Sequence, residues 1–223
     1  MDGILLIDKP KEWTSFDVVA KIRGLVRAET GQKKPKVGHA GTLDPLATGL
    51  LIVLVGNMTK KQDDFMKKDK VYDVTLKLGV ASTTGDEEGE KTVISDKQPS
   101  LSDAEAALEA FVGEQYQTPP QFSAVKVDGQ RAYKLARKGK EVKIEPRKIN
   151  IYSITEVKYD YPTVQFTCKV SSGTYIRSLV TDIGEKLGTG AYMTDLRRTQ
   201  IGDFSVSDAK DITDESLLSF LRV

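Results

Sequence analysis

Six consecutive apolar residues, Leu50-Leu51-Ile52-Val53-Leu54-Val55, stand between turn-forming segments. An unbroken run of that length predicts a strand buried on both faces, so the fold must cover it from two sides. The segment immediately before it is Gly38-His39-Ala40-Gly41-Thr42-Leu43-Asp44-Pro45-Leu46-Ala47-Thr48-Gly49. A glycine-rich polar loop feeding a buried strand is a place where a fold presents a side chain to a cleft. This loop holds the chain's single histidine and an aspartate pinned before a proline. On local chemistry two readings of Asp44 stay open. It is a turn or cap residue, the commoner use of Asp before Pro, or it is a catalytic carboxylate.

The remaining pattern mixes both periodicities. Gly3 to Ile7 predicts a short buried strand. Thr14 with Asp17 approximates a capping box, ahead of a helix on Val18, Val19, Ile22, Leu25 and Val26. Lys70 to Leu78 alternates, with Tyr72, Val74, Leu76 and Leu78 on one face. Ser102 with Glu105 predicts the start of a second helix, carrying Ala104, Ala107, Leu108, Phe111 and Val112 and stopping at Gly113. Ile149 to Tyr159 and Thr163 to Ser171 predict paired strands. A third helix carries Ile176, Leu179, Val180, Ile183 and Leu187 and stops at Gly188. A last strand is expected within Tyr192 to Val206, and a short helix from about Thr213. Strands and helices alternate without regular βαβ spacing. The expected class is α+β, with a mixed, largely antiparallel sheet flanked by helices.

The length, 223 residues, suits one large domain or two small ones. Formal net charge is +1, so the chain is no polycation, and only the distribution of charge can speak for or against nucleic acid. From Lys126 to Lys148 there are nine Lys or Arg and three acids, a concentrated basic patch. Cys168 has no partner for an internal disulfide, and with His39 alone it cannot build a Cys/His zinc site. It shares the apolar face of an alternating strand and is expected in the core. One cysteine in this length fits a reducing, cytoplasmic compartment. The acidic loop Ser82 to Glu90 is expected to be hydrated and to hold no metal. The lysines at 60, 61, 67, 68 and 70 are expected on a solvated surface. No apolar stretch reaches the 18 or so residues of a membrane span, and Met1 to Asp8, without a basic start and with a short apolar run, is not expected to be a signal peptide.

The segment Gly38 to Leu51 resembles the signature of the TruB family of tRNA pseudouridine synthases. Ser171-Ser172-Gly173-Thr174-Tyr175-Ile176-Arg177 resembles the family's second motif, and the likeness runs from Lys9 to about Ile212. The resemblance implies the pseudouridine-synthase fold and isomerisation of uridine to pseudouridine at position 55 in the tRNA T-loop. Asp44 takes the family's catalytic position, and His39 the position that wedges against the target nucleotide. Arg177 takes that of the cation paired with the catalytic aspartate; without the resemblance it reads as an exposed arginine paired with Asp182 or with nothing. Tyr72 takes the base-stacking position, although its place on an apolar face equally fits a core tyrosine. Tyr175 and Leu196 fall on pocket positions, and Lys60 and Asp86 on positions of less defined role.

The basic segment of about 126–148 resembles the thumb insertion that grips the T-arm, with Arg131, Lys134, Arg137, Lys138 and Lys140 as phosphate contacts. The implied reaction needs no cofactor, the implied partner is tRNA, and no protein partner is required of what should be a monomer. The chain is expected to be a single catalytic domain, 1–223, without the C-terminal PUA-type domain of many bacterial members. Where the family has glycine before Trp13, this chain has Glu12, which questions the conformation of that loop, since glycine serves where φ is positive. Two alternatives are the catalytic subunit of a guide-RNA-dependent pseudouridylase and a non-catalytic RNA-binding protein on the same scaffold.

Overall fold

The structure, a computed structural model, describes residues 1–222 except 124, 128, 137, 140 and 141, and only the backbone of 133. In chain order the elements are β1 (Gly3–Lys9), α1 (Ser15–Thr30), β2 (Val37–His39), β3 (Thr48–Val55), a 3₁₀ turn (Gly56–Lys61), α2 (Gln62–Met66), β4 (Lys70–Leu78), β5 (Val80–Ser82) and β6 (Lys91–Val93). There follow α3 (Leu101–Glu109), β7 (Gly113–Gln117), β8 (Lys126–Val127), β9 (Gln130–Arg131), α4 (Ala132–Ala136), β10 (Arg147–Asp160), β11 (Thr163–Val170) and α5 (Ile176–Leu187). The chain ends with β12 (Ala191–Ile201), β13 (Phe204–Ser205), β14 (Lys210–Asp211) and a 3₁₀ turn, Leu217–Phe220. It forms two compact units, Met1–Asp73 with Leu196–Val223, and Val74–Asp195.

In the first unit the strand order is β14-β1-β3-β12, with β2 also on β3 and β13 on β12. Pairing is mixed: β1 and β3 are antiparallel, while β3 runs parallel to β12 and β1 to β14. The apolar run behaves as its composition requires. Leu51, Val53 and Val55 join Leu5, Ile7 and the apolar stripe of α1 in one core. Leu50, Ile52 and Leu54 join Ile4, Leu6, Phe65 and Ile201 in another. Each such side chain taken fully from water contributes about 1.5–3 kcal/mol. The strand is therefore the shared wall of two cores. Helix α1 is started by Thr14 and Asp17 in a complete capping box and ended by Gly31 in the left-handed region.

In the second unit the order is β4-β11-β10-β7, antiparallel between β10 and both its neighbours, with the short hairpins β5–β6 and β8–β9 apart from it. Helix α3 packs against α5 and β10. Val164, Phe166, Cys168 and Val170 form the buried face of β11, so Cys168 is a core residue. Val125, Ala132, Val142 and Ile144 form a small core of their own within the basic segment, with Tyr175 packed against it.

Four expectations need correction. Helix α3 is capped by Ser100 and Asp103, two residues before the expected box. Both Ser-x-x-acid patterns exist in the sequence. The earlier one adds two helical residues while burying the same Ala104, Ala107 and Leu108. The helix also stops before Phe111 and Val112, which lead through turn bonds into β7. The short helix expected from about Thr213 starts later, as the 3₁₀ turn Leu217–Phe220. Asp211 and Asp214 accept from the amides of Thr213 and Ser216, locking that stretch into turns. Lys70 is buried and donates to the carbonyls of Met66 and Lys68, unlike the exposed Lys60, Lys61 and Lys67.

Glu12 adopts φ 69° and donates its amide to Pro45 O at 2.8 Å. The left-handed backbone costs a non-glycine residue about 1–2 kcal/mol, partly offset because glycine would lose about 0.5–1 kcal/mol more chain entropy on folding. The exposed Glu12 side chain makes no hydrogen bond or ion pair among the described residues. Glu12→Gly is therefore expected to raise stability by about 0.5–1 kcal/mol in urea denaturation. A loss of stability would mean that the glutamate side chain does something the backbone account omits.

Candidate active site

Asp44 lies in the connection from β2 to β3, half-buried, in a turn closed by Ala47 N donating to Asp44 O at 3.1 Å. The turn is fixed from several directions. The buried Ser15 hydroxyl, at the start of α1, accepts from Leu43 N at 2.8 Å and donates to Leu43 O at 3.1 Å. Pro45 O accepts from Glu12 N and also from the Lys9 ammonium, the latter at 3.2 Å. Arg198, on β12, is 1% exposed and donates to Leu50 O, Gly41 O and Thr42 O at 2.8, 3.0 and 3.5 Å. An aspartate aimed by backbone clamps of this kind is preorganised rather than merely present.

The electrostatics of this unit are dominated by buried cations. Lys9 is fully buried, with Pro10 O and Trp13 O as further acceptors at 2.8 and 2.6 Å. Burial brings its pKa down to about 8; the negative charge of Asp44 opposes that fall and Arg198 adds to it. His39 ends β2. Its pKa is lowered, first by burial and then by the charge of Arg198, so its ring is neutral at neutral pH. Its Nδ1 is buried and has no hydrogen-bond partner among the described residues. Tyr72, on the inward face of β4, and Leu196, on β12, are buried in the same unit. Lys60 is exposed at the end of the first 3₁₀ turn.

In the second unit, Tyr175 caps α5, and Gln117 clamps it, accepting from Tyr175 N at 2.8 Å and donating to Tyr175 O at 3.0 Å. Arg177, in the first turn of α5, is 7% exposed, so the reading of an exposed arginine fails. It faces Asp86 at 3.6 Å and donates to Thr84 O and Phe122 O at 3.1 and 2.9 Å. Asp86 is itself buried and accepts from Glu88 N and from the Thr84 hydroxyl. The loop expected to be hydrated is thus organised around an inward carboxylate, with the Lys91 ammonium tying the carbonyls of Asp86, Glu87 and Gly89. Among the described residues no three His, Cys, Asp or Glu side chains are grouped to hold a metal.

An open groove of about 280 Å³ runs beside Arg177, lined by Thr84, Thr118, Phe122 and Asp182. Asp182 pairs neither with Arg177 nor with any other group among the described residues. Burial, and then the charge of Glu185, push its pKa up to about 6. A carboxyl whose folded pKa exceeds its unfolded one disfavours folding once ionised: the cost is absent below about pH 4, grows as pH rises through the folded value, and is complete above it. Asp182→Asn should therefore stabilise the protein at pH 7 by about 1–2 kcal/mol, after solvent screening of the half-buried group, and should change nothing at pH 4. Urea denaturation at the two pH values checks this; an equal effect at both would remove ionisation as the cause.

Arg131, Lys134 and Lys138 are exposed on the basic segment. Arg137 and Lys140 lie outside the described residues. The sequence reading missed Lys9, Ser15 and Arg198. The signal for Arg198 was available: strand alternation puts it on the same face as the buried Leu196, an inward position for a charge.

Two family models match: TruB family pseudouridylate synthase, N-terminal domain, over residues 27–176, and tRNA pseudouridylate synthase B, C-terminal domain, over 177–222. The chain is 48% identical over 212 residues to tRNA pseudouridine synthase B of Clostridium novyi, covering 95% of this chain and 71% of that protein. It is 44% identical to the protein of the same name from Aquifex aeolicus, over 94% of this chain and 71% of that one. Among solved structures, a chain of a Cbf5-Nop10-Gar1 complex superposes with a TM-score of 0.72 at 30% identity, over 95% of this chain and 53% of the other. Motif, fold and relatives agree: the chain belongs to the TruB family of pseudouridylate synthases and has the pseudouridine-synthase fold.

Proposed function

We propose that the chain isomerises uridine to pseudouridine at position 55, in the T-loop of tRNA, acting alone with Asp44 as its catalytic residue. Family membership makes it a tRNA pseudouridine synthase, an isomerase. The observation that supports the assignment to Asp44 is its fixed, half-buried turn within the intact Gly38–Leu51 signature. The reaction breaks the C1′–N1 bond of uridine and joins C1′ to C5; C5 loses its proton and N1 takes one up, with no change of oxidation state. An ionised carboxylate at the reacting sugar and base can serve it as nucleophile or base. The family's assignment of Arg177 as the cation serving Asp44 is part of the proposal.

The other roles follow the same reading. The target base leaves its stack at a cost of a few kcal/mol, and an aromatic platform returns about 1–3 kcal/mol; Tyr72 is assigned that platform. Tyr175 and Leu196 shape the pocket, and neutral His39 fills space against the nucleotide. Lys60, Arg131, Lys134, Arg137, Lys138 and Lys140 meet phosphates of the T-arm. The whole chain, 1–223, is read as one catalytic domain with 126–148 as its RNA-gripping insertion. A cytoplasmic monomer without cofactor or protein partner completes it. Among the described residues no helix is long and apolar enough to cross a membrane. A synthetic T-arm hairpin incubated with the chain alone tests the reading. Pseudouridine at the uridine equivalent to position 55 is expected; no conversion without a guide RNA or added proteins would favour the guide-dependent alternative.

A further inference from the structure

We propose that Arg198 is a positioning residue for the isomerisation, setting the turn that carries Asp44; this rests on the function proposed above. Its guanidinium is fully buried, and among the described residues its partners are all main-chain carbonyls, with no carboxylate. A buried charge without a counter-ion is costly to retain where a neutral side chain could fill the space. The partners suggest why it is there. Gly41 and Thr42 precede Asp44, and Leu50 follows it, so one planar group grips both arms of the loop. A guanidinium offers five N–H donors in a fixed fork, a reach that an ammonium or an amide cannot reproduce.

The backbone is built for this grip. Arg198 pairs in register with Gly49, where φ is 98° and a Cβ would lie 2.3 Å from Arg198 O. Only glycine lets the second arm of the loop approach the strand so closely. At Gly41, also in the left-handed region, a Cβ would come within 3.5 Å of Arg198 Nη1. The clamp and the two glycines thus form one device around the loop. The charge of Arg198 also reaches His39 and Lys9, lowering the proton affinity of both. It acts through the loop and its field; the chemistry remains with Asp44.

Arg198→Lys keeps a charge and loses the fork, and Ile212→Val, a change in the core that contains no residue of the loop from 40 to 50, serves as a destabilising control. Melting, T-arm binding and single-turnover conversion are measured for each beside wild type and Asp44→Asn. Arg198→Lys is expected to convert uridine 10- to 100-fold more slowly, with hairpin Kd within 3-fold of wild type. Ile212→Val, melting lower than wild type, should react at the wild-type rate. The His39 ring resonance, the only histidine signal of the chain, should move in Arg198→Lys and not in Ile212→Val. A wild-type rate in Arg198→Lys, a rate loss shared with Ile212→Val, or a variant that does not fold would assign Arg198 to the scaffold and overturn the proposal. An inactive wild type would instead refute the underlying function.

Discussion

Asp44→Asn is expected to yield a folded protein that binds a T-arm hairpin normally and forms pseudouridine at least ~10⁴-fold more slowly. The amide has nearly the same shape as the carboxylate but neither its charge nor its nucleophilicity. The clamps that shape this turn act on the main chain, from Ser15 at Leu43, Lys9 and Glu12 at Pro45, and Arg198 at Gly41. The fold should therefore survive the change. Single-turnover conversion and hairpin binding, measured on the same preparation, separate the two effects. Equal losses of binding and rate would make Asp44 an RNA contact; an unchanged rate would move the chemistry elsewhere.

The largest expected effect on stability comes from Arg177→Met. It removes the guanidinium facing Asp86 at 3.6 Å and leaves a carboxylate that is only 6% exposed. Breaking a buried pair by deleting one partner costs about 3–5 kcal/mol, because the remaining charge is uncompensated. The carbonyls of Thr84 and Phe122 also lose their donor. Arg177→Met with Asp86→Leu should recover at least half of that loss, since the buried Asp86 carboxylate is no longer left without its cation. Activity should not return with stability in the double variant. Urea denaturation of both singles and the double, with conversion measured at a temperature where each is folded, tests the two statements apart. A double variant no more stable than Arg177→Met would show that Asp86 is not the group left stranded.

Much of this molecule was legible in the chain because its signals are local. The six-residue apolar run had to be buried on both faces, and Leu50 to Val55 is shared by two cores. Thr14 and Asp17 sit at the spacing a cap requires, and α5 stops at the expected glycine. The two motifs pointed to the TruB family, and family membership followed. What escaped was long-range. Ser100-Asp103 and Ser102-Glu105 are equivalent as patterns, and the helix takes the earlier cap with the same buried face. Lys9 looks like an ordinary surface cation, and Arg198 shows only its inward strand parity, until the fold closes main-chain carbonyls around their tips. Asp86 looked hydrated because its loop is rich in acids and glycine; the helix that brings Arg177 to it lies some 90 residues on. Glu12 was the informative exception: a departure from the family at one residue pointed to the positive φ found there.

The account's central claim is an unguided, site-specific isomerisation of tRNA uridine. Unmodified total tRNA, treated with the purified chain alone and mapped for pseudouridine at every uridine, tests it most directly. One new pseudouridine per tRNA, at position 55 of the T-loop and absent after treatment with Asp44→Asn, is the predicted result. No new pseudouridine, conversion concentrated outside the T-loop, or the same map from Asp44→Asn would contradict it.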